Sequence, residues 1–126
     1  MKFIKVNEWL SISGQLEAPD MERLSQEGVE VVMCNRPDGE AEDQASFSEL
    51  AAAAEDLGIE AINAPFKSGE MEADYITKMA GLYKDGRRVH AFCRTGNRSF
   101  NLYAAAHGLL GLPREVILQQ AEKVGI

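Results

Sequence analysis

The sequence predicts an α/β domain with a mostly parallel central sheet flanked by helices, and three observations carry that prediction. From residue 19 onward, short apolar or β-branched runs alternate with stretches of helical periodicity. The helical stretches close on glycines: Gly28, Gly58, Gly86 and Gly111. The length of 126 residues suits one domain, taken as residues 1–126, with a single core.

The elements follow in order. Phe3 to Val6 and Leu10 to Ser13 alternate apolar and polar residues, as short half-buried strands do. Gly14-Gln15 turns the chain. Pro19 suits the first position of a helix carrying Met21 and Leu24. Val29 to Cys34 is β-branched and apolar enough for an interior strand. The Asn35–Glu40 loop is rich in turn residues. A helix is expected over Asp43–Leu57, with Phe47, Leu50, Ala51, Ala54 and Leu57 forming its apolar stripe. Ile59 to Ala64 predicts a strand and Pro65–Glu70 a loop. Glu72–Lys84 predicts a helix with Ile76, Met79, Ala80 and Tyr83 on one side. Val89–Phe92 is then a strand, Ser99–Leu110 a helix, and Pro113 starts a last helix along Val116, Ile117 and Gln120.

Composition excludes several classes. No apolar run reaches membrane-spanning length, and MKFIKVNEWL has no signal-peptide core. Two cysteines are too few for a disulfide scaffold, so a reduced, cytoplasmic setting is the default expectation. A net charge of −7 argues against nucleic acid or an anionic membrane as partner. The charge is uneven: residues 1–60 hold 14 acidic and 4 basic side chains, residues 61–126 hold 6 and 9. That imbalance suits a local pocket for a small anion. Neither a metal nor a cofactor is expected, and oligomeric state is not legible.

The chemistry concentrates in His90-Ala91-Phe92-Cys93-Arg94-Thr95-Gly96-Asn97-Arg98-Ser99. A buried strand runs into a cysteine, then a glycine-containing loop, then a helix start. Free backbone N–H groups and partial positive charge gather at a helix N-terminus. Those donors, with the arginines, suit a sulfur nucleophile and an anion held above it. Cys93 is therefore the candidate nucleophile, and Arg98 the residue that forks two hydrogen bonds to the anion. The backbone of Arg94, Thr95, Gly96, Asn97 and Arg98 completes the anion cradle. Ser99 is placed either to donate to the Cys93 sulfur when it leaves or only to cap the helix. Arg94 lines the pocket or faces solvent.

The other candidates are read as structural. His90 points away from Cys93 by strand alternation and reads as a structural hydrogen-bonder, as does His107. Cys34 is a redox partner of Cys93 or, by the usual burial of free thiols, an inert one. In parallel sheets ligands bind beyond the carboxyl ends of the strands. This rule puts Asn35–Glu40, Pro65–Glu70 and Cys93–Arg98 at one edge.

The order strand, Cys-x-x-Gly, Arg-Ser, helix resembles the phosphate-binding loop of protein-tyrosine and dual-specificity phosphatases. Together Ile12-Ser13-Gly14-Gln15, Asn35-Arg36-Pro37-Asp38-Gly39-Glu40 and Cys93 to Ser99 resemble the beta-lactamase hydrolase-like protein, phosphatase-like domain family. The resemblance implies a protein-tyrosine/dual-specificity-phosphatase-like fold, with Cys93 as nucleophile and Arg98 as anion-binding arginine. It implies a phosphatase acting on a phosphate ester through a cysteinyl-phosphate. The general acid expected after the Ile59–Ala64 strand is missing, since Phe66, Lys67 or Ser68 stands there. Asp38 is the catalytic substitute on the correct edge, with Glu70 and Glu72 as alternatives. Phe92 replaces the histidine expected before the cysteine.

Loop length points elsewhere. Four residues separate Cys93 from Arg98, where the phosphatase loop has five, and that spacing resembles rhodanese sulfurtransferases. Two further functions therefore stand beside the phosphatase: a sulfurtransferase carrying sulfane sulfur as a Cys93 persulfide, and an anion-binding or redox-sensing module without turnover. In the enzyme readings the partner is a small anionic substrate, a phosphate ester or a sulfane-sulfur donor.

Overall fold

The structure, a computed structural model, describes residues 3–125. Its strands are β1 (Ile4–Lys5), β2 (Leu10–Ser13), β3 (Val31–Cys34), β4 (Glu60–Asn63) and β5 (Val89–Phe92). Its helices are α1 (Asp20–Gln26), α2 (Phe47–Glu55), α3 (Ala73–Lys84), α4 (Asn97–Leu109) and α5 (Arg114–Val124). The sheet order is β1-β2-β5-β3-β4, antiparallel at β1 and parallel elsewhere. The mostly parallel α/β architecture is the one the alternating pattern predicts.

Alternate residues of the sheet serve two separate cores. Leu10, Ile12, Val31, Met33, Val89 and Ala91 pack with Met79, Ala80 and Leu82 of α3 and with Phe100, Leu102 and Tyr103 of α4. On the other face Val32, Cys34 and Phe92 pack with Met21 and Leu24 of α1 and Leu50 and Ala54 of α2. Fully burying a side chain such as Phe92 or Met33 contributes roughly 1.5–3 kcal/mol. Central strands buried on both faces need apolar residues throughout, and β3 reads Val-Val-Met-Cys accordingly.

Register aligns the strand ends. Ser13 and Cys34 are both partnered with Phe92, and Asn63 with Cys34. The residues that follow, Gly14, Cys93, Asn35 and Ala64, therefore leave the sheet together at its carboxyl edge. That alignment is what assembles the site.

Three sequence expectations change. α2 begins at Phe47 rather than Asp43, because Ser46 Oγ accepts the Glu49 N–H and Asp38 Oδ1 accepts the Phe47 N–H. Such caps satisfy first-turn donors that have no partner within the helix. Leu57 lies beyond that helix and is exposed instead of completing its stripe. α4 begins at Asn97, two residues earlier than expected, which puts Arg98 in its first turn.

Candidate active site

Cys93 follows β5 directly and is fully buried. Its sulfur accepts the Gly96 N–H at 3.1 Å. Gly96 has φ +97°, a left-handed conformation that favours glycine and lets the loop close before α4 starts. Gly14 makes room on the other side: a Cβ there would stand 2.8 Å from the Arg94 carbonyl oxygen, closer than a Cβ comes to a non-bonded atom. Strand-end glycine and cysteine loop are thus matched surfaces.

Arg98 points back toward the sulfur, as side chains of a helix's first turn do. Its hydrogen bonds decide what it can still bind. Nη1 donates to Glu40 Oε2 at 2.9 Å and to the Phe66 carbonyl at 3.0 Å, and Nη2 donates to Glu40 Oε1 at 2.8 Å. A guanidinium has five N–H donors. Oxygen acceptors among the described residues use three, and the two remaining, on Nε and Nη2, share one edge of the plane. That edge is a free fork suited to two oxygens of one anion. Glu40 hydrogen bonds, with the nearby Cys93 sulfur adding to them, raise Arg98 above the ordinary arginine range.

Glu40 joins two arginines. Arg36, buried, donates from Nε to Glu40 Oε1 at 2.9 Å and from Nη1 to Gln15 Oε1 at 3.1 Å. The Arg98 hydrogen bonds, supported by Arg36, hold the Glu40 carboxyl down to about 2, so it is ionised at neutral pH. Arg36, Glu40, Ala41, Lys67, Ser68, Arg94 and Arg98 line a cavity of about 460 Å³. Gln15, Arg36–Glu40 and Phe66 come from three separate loops and Arg98 from the first turn of α4. The three expected loops do meet at one edge, together with the turn after β2.

The predicted residues are placed unevenly. Arg94, Thr95 and Asn97 are exposed around the buried Gly96, and Arg94 lines the cavity. Ser99 does not donate to Cys93: its single hydroxyl proton goes to Asn35 Oδ1 at 2.9 Å, while Asn35 Nδ2 donates to the Ala64 carbonyl. This buried pair braces α4 against the ends of β3 and β4. Asp38 does not line the cavity either, and its Oδ1 accepts the Phe47 N–H at the start of α2. Glu70 and Glu72 are exposed and outside the lining. Arg36 and Glu40 stand on the expected Asn35–Glu40 loop and Gln15 in the Gly14-Gln15 turn, but none of the three carries a role in the sequence-derived site. The available signal was an Arg and a Glu four apart across the Pro-Asp-Gly turn.

His90 is structural, as expected. Its Nδ1 and Nε2 lie 2.7 Å and 2.8 Å from the hydroxyls of Ser11 and Ser13. Ser13 donates its one proton to the Gly14 carbonyl, so it must accept from Nε2–H, and Nδ1 accepts from Ser11. Burial pushes the imidazole down to about 3, keeping it neutral. Cys34 donates to the Arg36 carbonyl at 3.2 Å, and burial raises its thiol to about 11. Both cysteines are free thiols.

Comparison with known proteins agrees with this geometry. Residues 2–109 match the family described as beta-lactamase hydrolase-like protein, phosphatase-like domain. The beta-lactamase hydrolase-like protein of Agrobacterium fabrum is 30% identical over 112 residues, covering 88% of this chain but 26% of that protein. The chain thus spans about a quarter of that relative's length. A crystal structure of a candidate phosphatase from Neisseria meningitidis is similar at 30% identity and TM-score 0.83, covering all of this chain and 90% of that one. Kinase associated phosphatase shares the fold at 14% identity and TM-score 0.74, over 96% of this chain and 80% of its own. The fold is that of the protein-tyrosine and dual-specificity phosphatases.

Proposed function

This chain belongs to the beta-lactamase hydrolase-like protein, phosphatase-like domain family, and from that premise we propose that it is a cysteine-dependent phosphatase-like hydrolase acting on a small phosphorylated substrate. One observation carries the reading: the Cys93 sulfur accepts the Gly96 N–H beside an Arg98 that keeps one two-pronged edge free. In this reaction the Cys93 sulfur attacks phosphorus, and the bond to the leaving oxygen breaks with its electron pair. Water then cleaves the S–P bond, releasing phosphate and restoring Cys93. The free Arg98 fork and the loop N–H groups hold the phosphoryl oxygens as charge develops on them.

Proton supply limits the substrate. Among the described residues Glu40 is the one carboxylate lining the cavity, and its two arginine partners keep it ionised. It has no proton to give a departing alkoxide at neutral pH. The enzyme accordingly favours leaving groups that depart as anions, and aryl phosphates over alkyl phosphates. The same lack of an acid is compatible with sulfane-sulfur transfer, but family membership and the structural relatives favour phosphoryl transfer.

Steady-state phosphate release from an aryl and an alkyl phosphate tests this. The expected result is turnover of the aryl ester, abolished in Cys93→Ser and retained in Asp38→Asn. Undiminished release by Cys93→Ser would overturn the nucleophile, and a hundredfold loss in Asp38→Asn, about the size of a general-acid contribution, would return the proton donor to Asp38.

A further inference from the structure

The cavity over Arg98 holds more positive charge than a single phosphoryl group uses. Arg36, Lys67, Arg94 and Arg98 line it against one carboxylate, Glu40, in a chain of net charge −7. Arg98 is committed to the reacting centre through its free edge. Arg36 is different: only 6% exposed, it spends two N–H groups on Glu40 and Gln15. Its other three N–H groups have no acceptor among the described residues. Those groups are not sealed from solvent, since among the described residues Trp9 Nε1 is the buried side-chain polar atom left without a partner; they open on the cavity that Arg36 lines and can donate to an anion held there. Lys67 and Arg94 are exposed parts of the same lining, and neither forms an ion pair among the described residues. The volume of about 460 Å³ is that of a small-molecule site, for which roughly 300–1,000 Å³ is usual.

Resting on the assignment of Cys93 and Arg98 as the reacting centre, we propose that Arg36, Lys67 and Arg94 form a second anion subsite. The substrate class is then a molecule bearing two phosphoryl groups, one over Cys93 and one among these three cations. The two groups are joined either directly, as in a phosphoanhydride, or through a short carbon frame, as in a bisphosphate. The shared requirement is a second dianionic group within the length of the cavity. Glu40 separates the two tasks: it orients Arg98 toward the first group and fixes Arg36 through Nε, leaving for the second the Nη N–H groups of Arg36 that Gln15 does not hold.

Calorimetric titration of the wild-type protein with three non-hydrolysable probes tests the subsite without relying on turnover. Methylphosphonate carries one group, methylenebisphosphonate reproduces the anhydride spacing, and propane-1,3-bisphosphonate reproduces a carbon frame. The expected result is that one bisphosphonate binds about tenfold or more tighter than methylphosphonate, the size of one charge-assisted pair. Which of the two wins identifies the linkage. The double variant Lys67→Ala/Arg94→Ala is expected to lower that affinity ratio by about fivefold or more, whereas Lys84→Ala, at the far end of α3, leaves it unchanged. Equal affinity for all three probes, a ratio that the double variant does not move, an equal fall in Lys84→Ala, or no binding of any probe would each overturn the subsite. Failure of the Cys93 chemistry is read separately, from phosphate release.

Discussion

At the scale of single residues the site turns on Glu40. A carboxylate on the guanidinium of an anion-binding arginine looks at first like a competitor for the ligand. The donor count says otherwise: Glu40 and the Phe66 carbonyl use three N–H groups and present the remaining two together. Glu40 is thus a positioning residue for Arg98. Glu40→Gln leaves one oxygen where two served, and turns an amide N–H₂ toward a guanidinium. We expect kcat/KM for an aryl phosphate to fall about tenfold to a hundredfold, the cost of a misplaced catalytic group, with the bound-anion specificity retained. A rise in kcat/KM would instead identify Glu40 as a competitor. The placement of Cys93 and Arg98 was legible in the sequence because it follows from local order: strand, cysteine, glycine, arginine, helix. Glu40 was not, because its partner lies 58 residues away and only the sheet brings the two together.

At the scale of elements, strand register does what loop sequence alone does not. Ser13, Phe92, Cys34 and Asn63 end level, so the four loops start from one line. The close packing of the Gly14 turn on the cysteine loop then fixes where the cradle stands. Gly14→Ala puts a Cβ 2.8 Å from the Arg94 carbonyl oxygen. The backbone must shift, at a stability cost of about 1–3 kcal/mol. The larger consequence is expected in activity, a loss of about a hundredfold for displacement on the order of 1 Å, read as kcat/KM beside the denaturation midpoint. Equal proportional effects on both would show that the contact serves only the fold. The existence and type of every element were legible from periodicity and glycine stops. The start of α2 was missed although Ser46 caps it locally; the second bond to its first turn comes from Asp38, nine residues before Phe47. The same bond ties Asp38 to the start of α2, outside the cavity lining.

At the scale of the whole molecule, three groups, two histidines and one glutamate, tie stability to pH in adjoining windows. Burial holds His90 at about 3, against an ordinary value of 6.5, so the folded protein keeps it neutral while the unfolded chain protonates it below 6.5. Its contribution is complete above 6.5 and is lost as pH falls toward 3. His107 is lowered by burial too and acts in the same direction. Glu40, at about 2 against 4.5, contributes fully above 4.5 and loses that contribution below it. Urea midpoints should therefore already fall between pH 6.5 and 4.5, with a slope up to about 1.4 kcal/mol per pH unit for each proton taken up. A His90→Gln variant should show a shallower fall, and a wild-type profile flat to pH 4.5 would contradict a buried neutral histidine. The sequence hinted at the chemistry through its charge asymmetry, since the cations around the cavity come mainly from its less acidic second half. It left two chemistries open because loop length and overall pattern disagreed. Intact-protein mass spectrometry, after separate rapid quenching from an aryl phosphate and from thiosulfate, tests the central claim most directly. The account predicts a phosphoryl adduct on wild-type protein that is absent in Cys93→Ser. A persulfide on Cys93 with no phosphoryl adduct would contradict it.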